Sequence, residues 1–199
     1  QSRLPAPMAN RVPQAVAVTT WQNARSLGAN CIPVLQACEP ASALPALGQV
    51  QRQAGQMAAA CIQAAAHAVL HKQCAGLVTA PIHKEALHAA AVPYPGHTEM
   101  LQALAAQHQG VPADAMPVRM MLANAELRTV LNSIHVSLRA AIEAVTFDNI
   151  LQTIQITHAF LLQQASVRAA GRRPIIAVAG LNPHAGEGGL FGNEEINII

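Results

Sequence analysis

The stretch PIIAVAGLNPHAGEGGLFGNEE, residues 174–195, decides the fold. Residues 174–180 form a short apolar run of the kind that makes a buried strand. Leu181, Asn182, Pro183 and His184 follow at once, and then Gly186, Glu187, Gly188 and Gly189. Such a glycine run allows positive φ and a close approach of backbone to a ligand. Asn193 stands where a helix N-cap belongs. Glu194 and Glu195 suit the first turn after it, where the helix dipole favours negative charge. A strand, a glycine-rich turn and a helix start, in that order, are the parts of an α/β unit.

The same alternation is read outward from this stretch. Residues 1–30 read as loop and turn, with weak apolar content at 15–18. Cys31–Leu35 (CIPVL) is a short strand that Pro33 confines to an edge or an irregular position. A Pro- and Ala-rich connection, 39–48, leads into a long amphipathic helix over 49–72. Val50, Met57, Cys61, Ala65 and Val69 lie there near helical spacing. Residues 76–80 (GLVTA) form a buried-strand candidate, followed by a short helix at 83–91, a turn at 92–96 and a helix at 98–107. After a loop at 110–116, strands are predicted at 117–123 and 128–133, and helices at 137–145 and 147–169. Strands alternating with helices predict an α/β architecture with a largely parallel sheet. There is no internal repeat.

The composition narrows the class. The chain has 199 residues, enough for one fair-sized domain or one and a half. Hydrophobic residues make up 52% and charged residues 11%, which excludes broad disorder. Much of the apolar content is alanine, which points to close-packed helices. The net charge is +2, and Arg172–Arg173 is the only adjacent Lys/Arg pair, so there is no nucleic-acid footprint. One Trp, one Tyr and three Phe make no base-stacking platform. The longest apolar run, 57–70, is broken by Gln63 and His67, which argues against a membrane span. No signal peptide is visible. Cys31, Cys38, Cys61 and Cys74 form no CxxC pair and no zinc spacing. They read as buried free thiols in a reducing cytoplasm. The chain starts without Met and stops about one turn into its last helix, which reads as a piece cut at both ends.

Three histidines share a context. His97 follows a turn and precedes a helix (GHTE), His135 follows a strand (LNSIHVSL), and His184 follows another. Ligands of open α/β sheets bind at the carboxyl ends of strands, so His135 and His184 can converge. Neutral imidazoles suit a divalent transition metal. No HExxH is present, so spacing alone leaves packed or surface histidines open. The glycine run with a helix start behind it can hold a phosphate or carboxylate, or be a flexible turn. It matches neither GxGxxG nor GxxxxGK[ST]. Lys84 can meet a negatively charged substrate or be solvated. Asp114 and Glu143 read as surface charges. His67, His71, His88, His108 and His158 read as structural or exposed.

TAPIHKEAL, YPGHTEML, VRMMLANAELR, SIHVSLRAAIEAVT and GLNPHAGEGGLFGNEE occur in this order. Together they closely resemble the 4-hydroxythreonine-4-phosphate dehydrogenase (PdxA) family. The resemblance covers residues 76–199 and extends plausibly upstream. It implies a two-lobed α/β fold similar to isopropylmalate dehydrogenase and a homodimer, with the substrate site between the lobes near the interface. It also implies NAD-dependent oxidation of a secondary alcohol to a β-keto acid, followed by decarboxylation. A divalent metal (zinc, or magnesium or cobalt) polarises the reacting oxygen. Carried over motif by motif, His97 and Thr98 bind substrate, and His135 and His184 ligate the metal. Catalytic and NAD-binding residues stay unassigned, and Lys84 and Glu187 stay outside the assignment.

The chain also departs from the family pattern. A third metal histidine and a lysine, an asparagine and an arginine for substrate are expected beyond Ile199. A GDPAGIGPE-like segment near the family's N-terminus is absent, and AAQHQGVPADAM reads as an insertion. The chain alone is therefore expected to be inactive and to bind metal weakly. Relatives acting on 4-phosphothreonate-type acids or on aromatic cis-dihydrodiol carboxylates are alternatives. A non-catalytic metal- or phosphate-binding homologue is an alternative of another class, and a phosphate acyltransferase a distant third.

Overall fold

The structure is a computed structural model that describes residues 13–41, 43–171 and 173–199. The first twelve residues of the expected opening loop, and Arg172 of the basic pair, lie outside the described residues. The chain divides into two compact units, Gln1–Pro117 and Val118–Ile199.

In the first unit, β1 (Gln14–Val18) and β2 (Cys31–Leu35) pair in parallel, with Gln14 opposite Cys31 and Val18 opposite Leu35. The short helix α1 (Trp21–Ala24) lies between them in sequence, capped by the Thr20 hydroxyl, which accepts from the Asn23 amide. β1 occupies the weakly apolar stretch read above as loop. Pro33 is tolerated because each strand of a two-stranded sheet is an edge.

Helix α2 (Arg52–Leu70) is the core's main wall, and α3 (Lys84–Ala89) and α4 (His97–Gln109) pack on it. Ala59, Ile62 and Ala66 of α2 meet Leu87, Met100 and Leu104 in one buried cluster. Leu87 and Met100 are essentially fully buried, a contribution of about 1.5–3 kcal/mol each. The buried face of α2 is Gly55, Ala59, Ile62, Ala66 and Ala68. The stripe read above, which includes Cys61, is rotated from it, and Cys61 is exposed. Size explains the rotation. At Gly55 a Cβ would overlap the Ala86 carbonyl, so the helices cross where the side chain is smallest. All four cysteines are free, but none is buried. The Cys61 thiol is pushed up by partial burial first and then by neighbouring Cys38.

In the second unit, β3 (Met121–Ala123) and β4 (Arg128–Val130) form an antiparallel hairpin. The Asn124 side-chain oxygen closes its turn, accepting from the amides of Glu126 (2.8 Å) and Leu127 (2.7 Å). Helices α5 (Leu138–Glu143) and α6 (Phe147–Gln163) start at Ser137 and Thr146, whose hydroxyls accept from the Ala140 and Asn149 amides. The single long helix expected over 147–169 is broken at Gln164 (ψ 130°), after which α7 (Ala165–Ala170) begins. The last helix, α8 (Glu194–Asn197), starts at Asn193 as expected, although the Asn193 side chain makes no capping bond.

The architecture is mixed α/β, but the largely parallel sheet is not what the described residues form. One pair is parallel and the other antiparallel. A four-residue link between β3 and β4 forces the antiparallel choice, because a parallel crossover needs a dozen residues or more. Among the described residues, 76–80 and 174–180 have no strand partner. Burial still alternates in 76–80, where Leu77 and Thr79 are half-buried and Val78 is 97% exposed. No described helix is long and apolar enough to cross a membrane.

Candidate functional site

The histidine-bearing segments fall in both units. In the first, GHTE opens α4. Gly96 is the N-cap, and His97 and Thr98 begin the helix, both half-buried. The Nε2 atom of His97 is buried and has no hydrogen-bond partner among the described residues. An unpaired buried polar atom costs about 1–3 kcal/mol, so its presence calls for a reason, and a ligand group is one. The Glu99 carboxylate folds back to 3.3 Å from where a Cβ on Gly96 would lie, and the Lys84 ε-carbon lies 4.0 Å from the same point. Lys84, exposed on the first turn of α3, is thus a neighbour of the GHTE turn.

In the second unit, His135 sits on the link between β4 and α5, exposed, with φ 54°. Its loop is anchored three residues earlier. Asn132 Nδ2 donates to the Ala144 carbonyl (3.1 Å), and its backbone carbonyl accepts from Asn149 Nδ2 (3.3 Å). Asn132 Oδ1 lies 3.1 Å from the Thr153 hydroxyl, which in turn accepts from Arg119 Nε at 2.7 Å. Arg119 also donates to Asn149 Oδ1, Gln152 Oε1 and the Val118 carbonyl. These neutral acceptors tie the segment just before β3, α6 and the His135 loop into one network. Two residues after His135, Ser137 caps α5.

His184 is held by the same logic. From His184 to Gly188 the backbone is left-handed throughout, with φ 53°, 51°, 81°, 44° and 63°. Left-handed geometry costs about 1–2 kcal/mol for each residue with a Cβ, and His184, Ala185 and Glu187 bear that cost here. The turn persists because α8 over-determines it. Glu195 Oε1 accepts from the amides of Leu181 (2.7 Å) and Asn182 (2.6 Å). Asn182 Nδ2 donates to Glu194 (2.7 Å) and to Glu195 Oε2 (3.0 Å). The Phe191 amide donates to the Gly186 carbonyl (3.1 Å). At Gly186, φ 81°, a Cβ would lie 2.6 Å from the Gly192 carbonyl oxygen, so only glycine fits. Hydrogen bonds from Asn182, first from its backbone amide and then from its side chain, hold the Glu195 carboxyl below its ordinary range.

The strand-end placement expected for His184 does not hold, since 174–180 forms no ladder. No hydrogen bond or ring contact joins His135 to His184, and the latter's ring neighbours Phe191 at 6.2 Å. Among the described residues no group of three His, Cys, Asp or Glu side chains is arranged to hold an ion. Two exposed imidazoles on stiff loops are the donor set available. Sequence reading missed Asn132, Asn149, Thr153 and Arg119, and read Glu194 and Glu195 only for their dipole. The available signal was an asparagine two or three residues before each of these two histidines.

Backbone strain in anchored, histidine-bearing loops is a feature of the broad class of α/β proteins that build their sites on loops. Comparison with known proteins sharpens that class. The family described as "Pyridoxal phosphate biosynthetic protein PdxA" matches residues 5–199, and the chain belongs to that family. It is 51% identical over 157 residues to a 4-hydroxythreonine-4-phosphate dehydrogenase of Beijerinckia indica subsp. indica, covering 78% of this chain and 42% of the relative. It is 39% identical over 152 residues to a D-threonate 4-phosphate dehydrogenase of Pectobacterium atrosepticum, covering 76% of this chain and 43% of the relative. The crystal structure of 4-hydroxythreonine-4-phosphate dehydrogenase from Klebsiella pneumoniae superposes with TM-score 0.70 at 31% identity, over 97% of this chain and 56% of that one. A solved structure from Salmonella typhimurium gives TM-score 0.74 at 34% identity, over 96% of this chain and 55% of that one. The chain thus spans about half the length of the relatives it matches.

Proposed function

We propose that the chain is part of a cytoplasmic, homodimeric dehydrogenase with a two-lobed, isopropylmalate dehydrogenase-like fold. It oxidises the secondary alcohol of 4-phosphooxy-threonine with NAD and then decarboxylates the product, in pyridoxal phosphate synthesis. The observation that carries this reading is the 51% identity with the Beijerinckia indica enzyme. The site geometry supports it. His97 Nε2, buried and without a partner among the described residues, would hydrogen-bond a substrate oxygen, with the Thr98 hydroxyl one residue on. Lys84 supplies positive charge beside them for a phosphate or carboxylate. His135 and His184 are the residues that would hold a divalent metal, zinc or magnesium or cobalt, together with ligands from elsewhere. When bound, such an ion polarises the reacting alcohol oxygen and offsets negative charge during loss of CO2. The left-handed backbone at His135 and His184 supports this reading, because it holds the two loops in shape before substrate arrives.

A turnover assay on the intact protein tests this, with NAD and 4-phosphooxy-threonine, following NADH. Replacing His135 or His184 with Ala is expected to lower kcat/KM by about a hundredfold or more. His97→Ala is expected to raise KM as well. Undiminished turnover in the His135→Ala and His184→Ala variants sinks the metal assignment. A second reading is favoured by the 39% identity with the Pectobacterium atrosepticum enzyme: oxidation of D-threonate 4-phosphate. Its larger kcat/KM with that acid in the same assay would replace the first reading.

A further inference from the structure

Away from the histidines, the second unit holds a cleft of about 180 Å³ between its hairpin and α6. Met121 and Val130, opposite each other in the β3–β4 ladder, line it together with Ile156, Thr157 and Phe160 of α6. Arg119, two residues before Met121, completes the lining and is its one charged side chain.

That charge has no counter-ion. The guanidinium donates to the Thr153 hydroxyl (2.7 Å), Asn149 Oδ1 (2.6 Å), Gln152 Oε1 (2.7 Å) and the Val118 carbonyl (2.9 Å). All of these acceptors are neutral, and no carboxylate is among its partners in the described residues. Since a guanidinium carries five N–H donors, one on Nη1 is left over. Arg119 is half-buried, and a charge drawn partly out of water without an opposite charge is unfavourable. The rest of the lining is apolar except for Thr157, whose hydroxyl already donates to the Thr153 carbonyl (2.7 Å). One charged donor in an otherwise apolar wall is the composition of a small-molecule site.

Size and donor count define the ligand. An apolar cavity of about 150 Å³ admits benzene, so this cleft has room for an apolar body of about six carbons. One spare N–H beside a full positive charge matches a carboxylate oxygen. A phosphate brings three strong acceptor oxygens, and the described lining offers no second free donor for them. We propose that the cleft binds a short-chain apolar monocarboxylate, with its head on Arg119 and its body against Met121, Val130, Ile156 and Phe160. No histidine lines the cleft, and the proposal does not rest on the dehydrogenase reading.

The test follows the Arg119 side-chain nitrogens and the Met121, Val130 and Ile156 methyl groups of the full chain by NMR as 4-methylpentanoate is added. Saturable shifts of both sets are expected. The acid is expected to bind about tenfold more tightly than 4-methylpentan-1-ol, which lacks the charge, and than acetate, which lacks the body. Val130→Phe fills the cleft and leaves the Arg119 hydrogen bonds in place, and it is expected to weaken binding by about tenfold or more. The comparison of the three compounds needs no variant, so it decides whether or not Val130→Phe folds. Equal affinity for acid and alcohol, no saturable shift in the cleft, or undiminished binding by folded Val130→Phe overturns the proposal.

Discussion

At Glu195 one carboxylate accepts from two backbone amides and from the Asn182 side chain, and thereby closes the turn that presents His184. Those bonds favour the ionised form and hold its pKa below the ordinary carboxylate value, the Asn182 amide contributing most. The native state therefore binds this proton less tightly than the unfolded chain. The clamp is fully present above the ordinary carboxylate range and is lost as pH falls through the lowered native value. Glu195→Gln keeps an acceptor for the amides but turns a donor toward Asn182 Nδ2, and neutral acceptors bond about half as strongly. Protection factors for hydrogen exchange at the Leu181 and Asn182 amides are expected to fall in the variant at neutral pH, and in the unmodified chain only in acid. Equal protection in both at neutral pH would show that the turn holds without the charge.

At the scale of elements, α2 shows why an apolar stripe is a partial guide. Val50, Met57, Cys61, Ala65 and Val69 draw the eye because they are mostly larger or more apolar, whereas the packed face is Gly55, Ala59, Ile62 and Ala66. Close crossing selects for small side chains, and hydropathy does not record size. Gly55→Ala separates the two effects by sign. Helix propensity alone predicts stabilisation by about 1 kcal/mol. Overlap of the new Cβ with the Ala86 carbonyl predicts a net loss instead, about 1–3 kcal/mol, because α2 and α3 must move apart. Denaturant titration decides between them, and a gain in stability would mean that the helices adjust freely.

For the molecule as a whole, the helices and the α/β class were legible because side-chain period and turn residues cause them locally. Partner choice was not. The pairing of β1 with β2 and the hairpin of β3 with β4 depend on link lengths and contacts that no single run displays, although the short NAEL link did carry the antiparallel signal. The site divides likewise. His135 and His184 stood out by their company, whereas Asn132 and Glu195 act on residues that become neighbours only on folding. Val78 and Ile175 are where period and pairing part company. Both sit in runs that read as buried strands, yet they are 97% and 96% exposed. If they face water as described, Val78→Lys and Ile175→Lys leave the unfolding free energy of the chain within about 0.5 kcal/mol. Both also lower self-association in sedimentation velocity, because exposed apolar side chains drive it. If these side chains are covered in solution, burying a lysine in their place costs at least the lost apolar burial, about 1.5–3 kcal/mol. The size of that single difference therefore reports whether these two side chains stand in water or are covered.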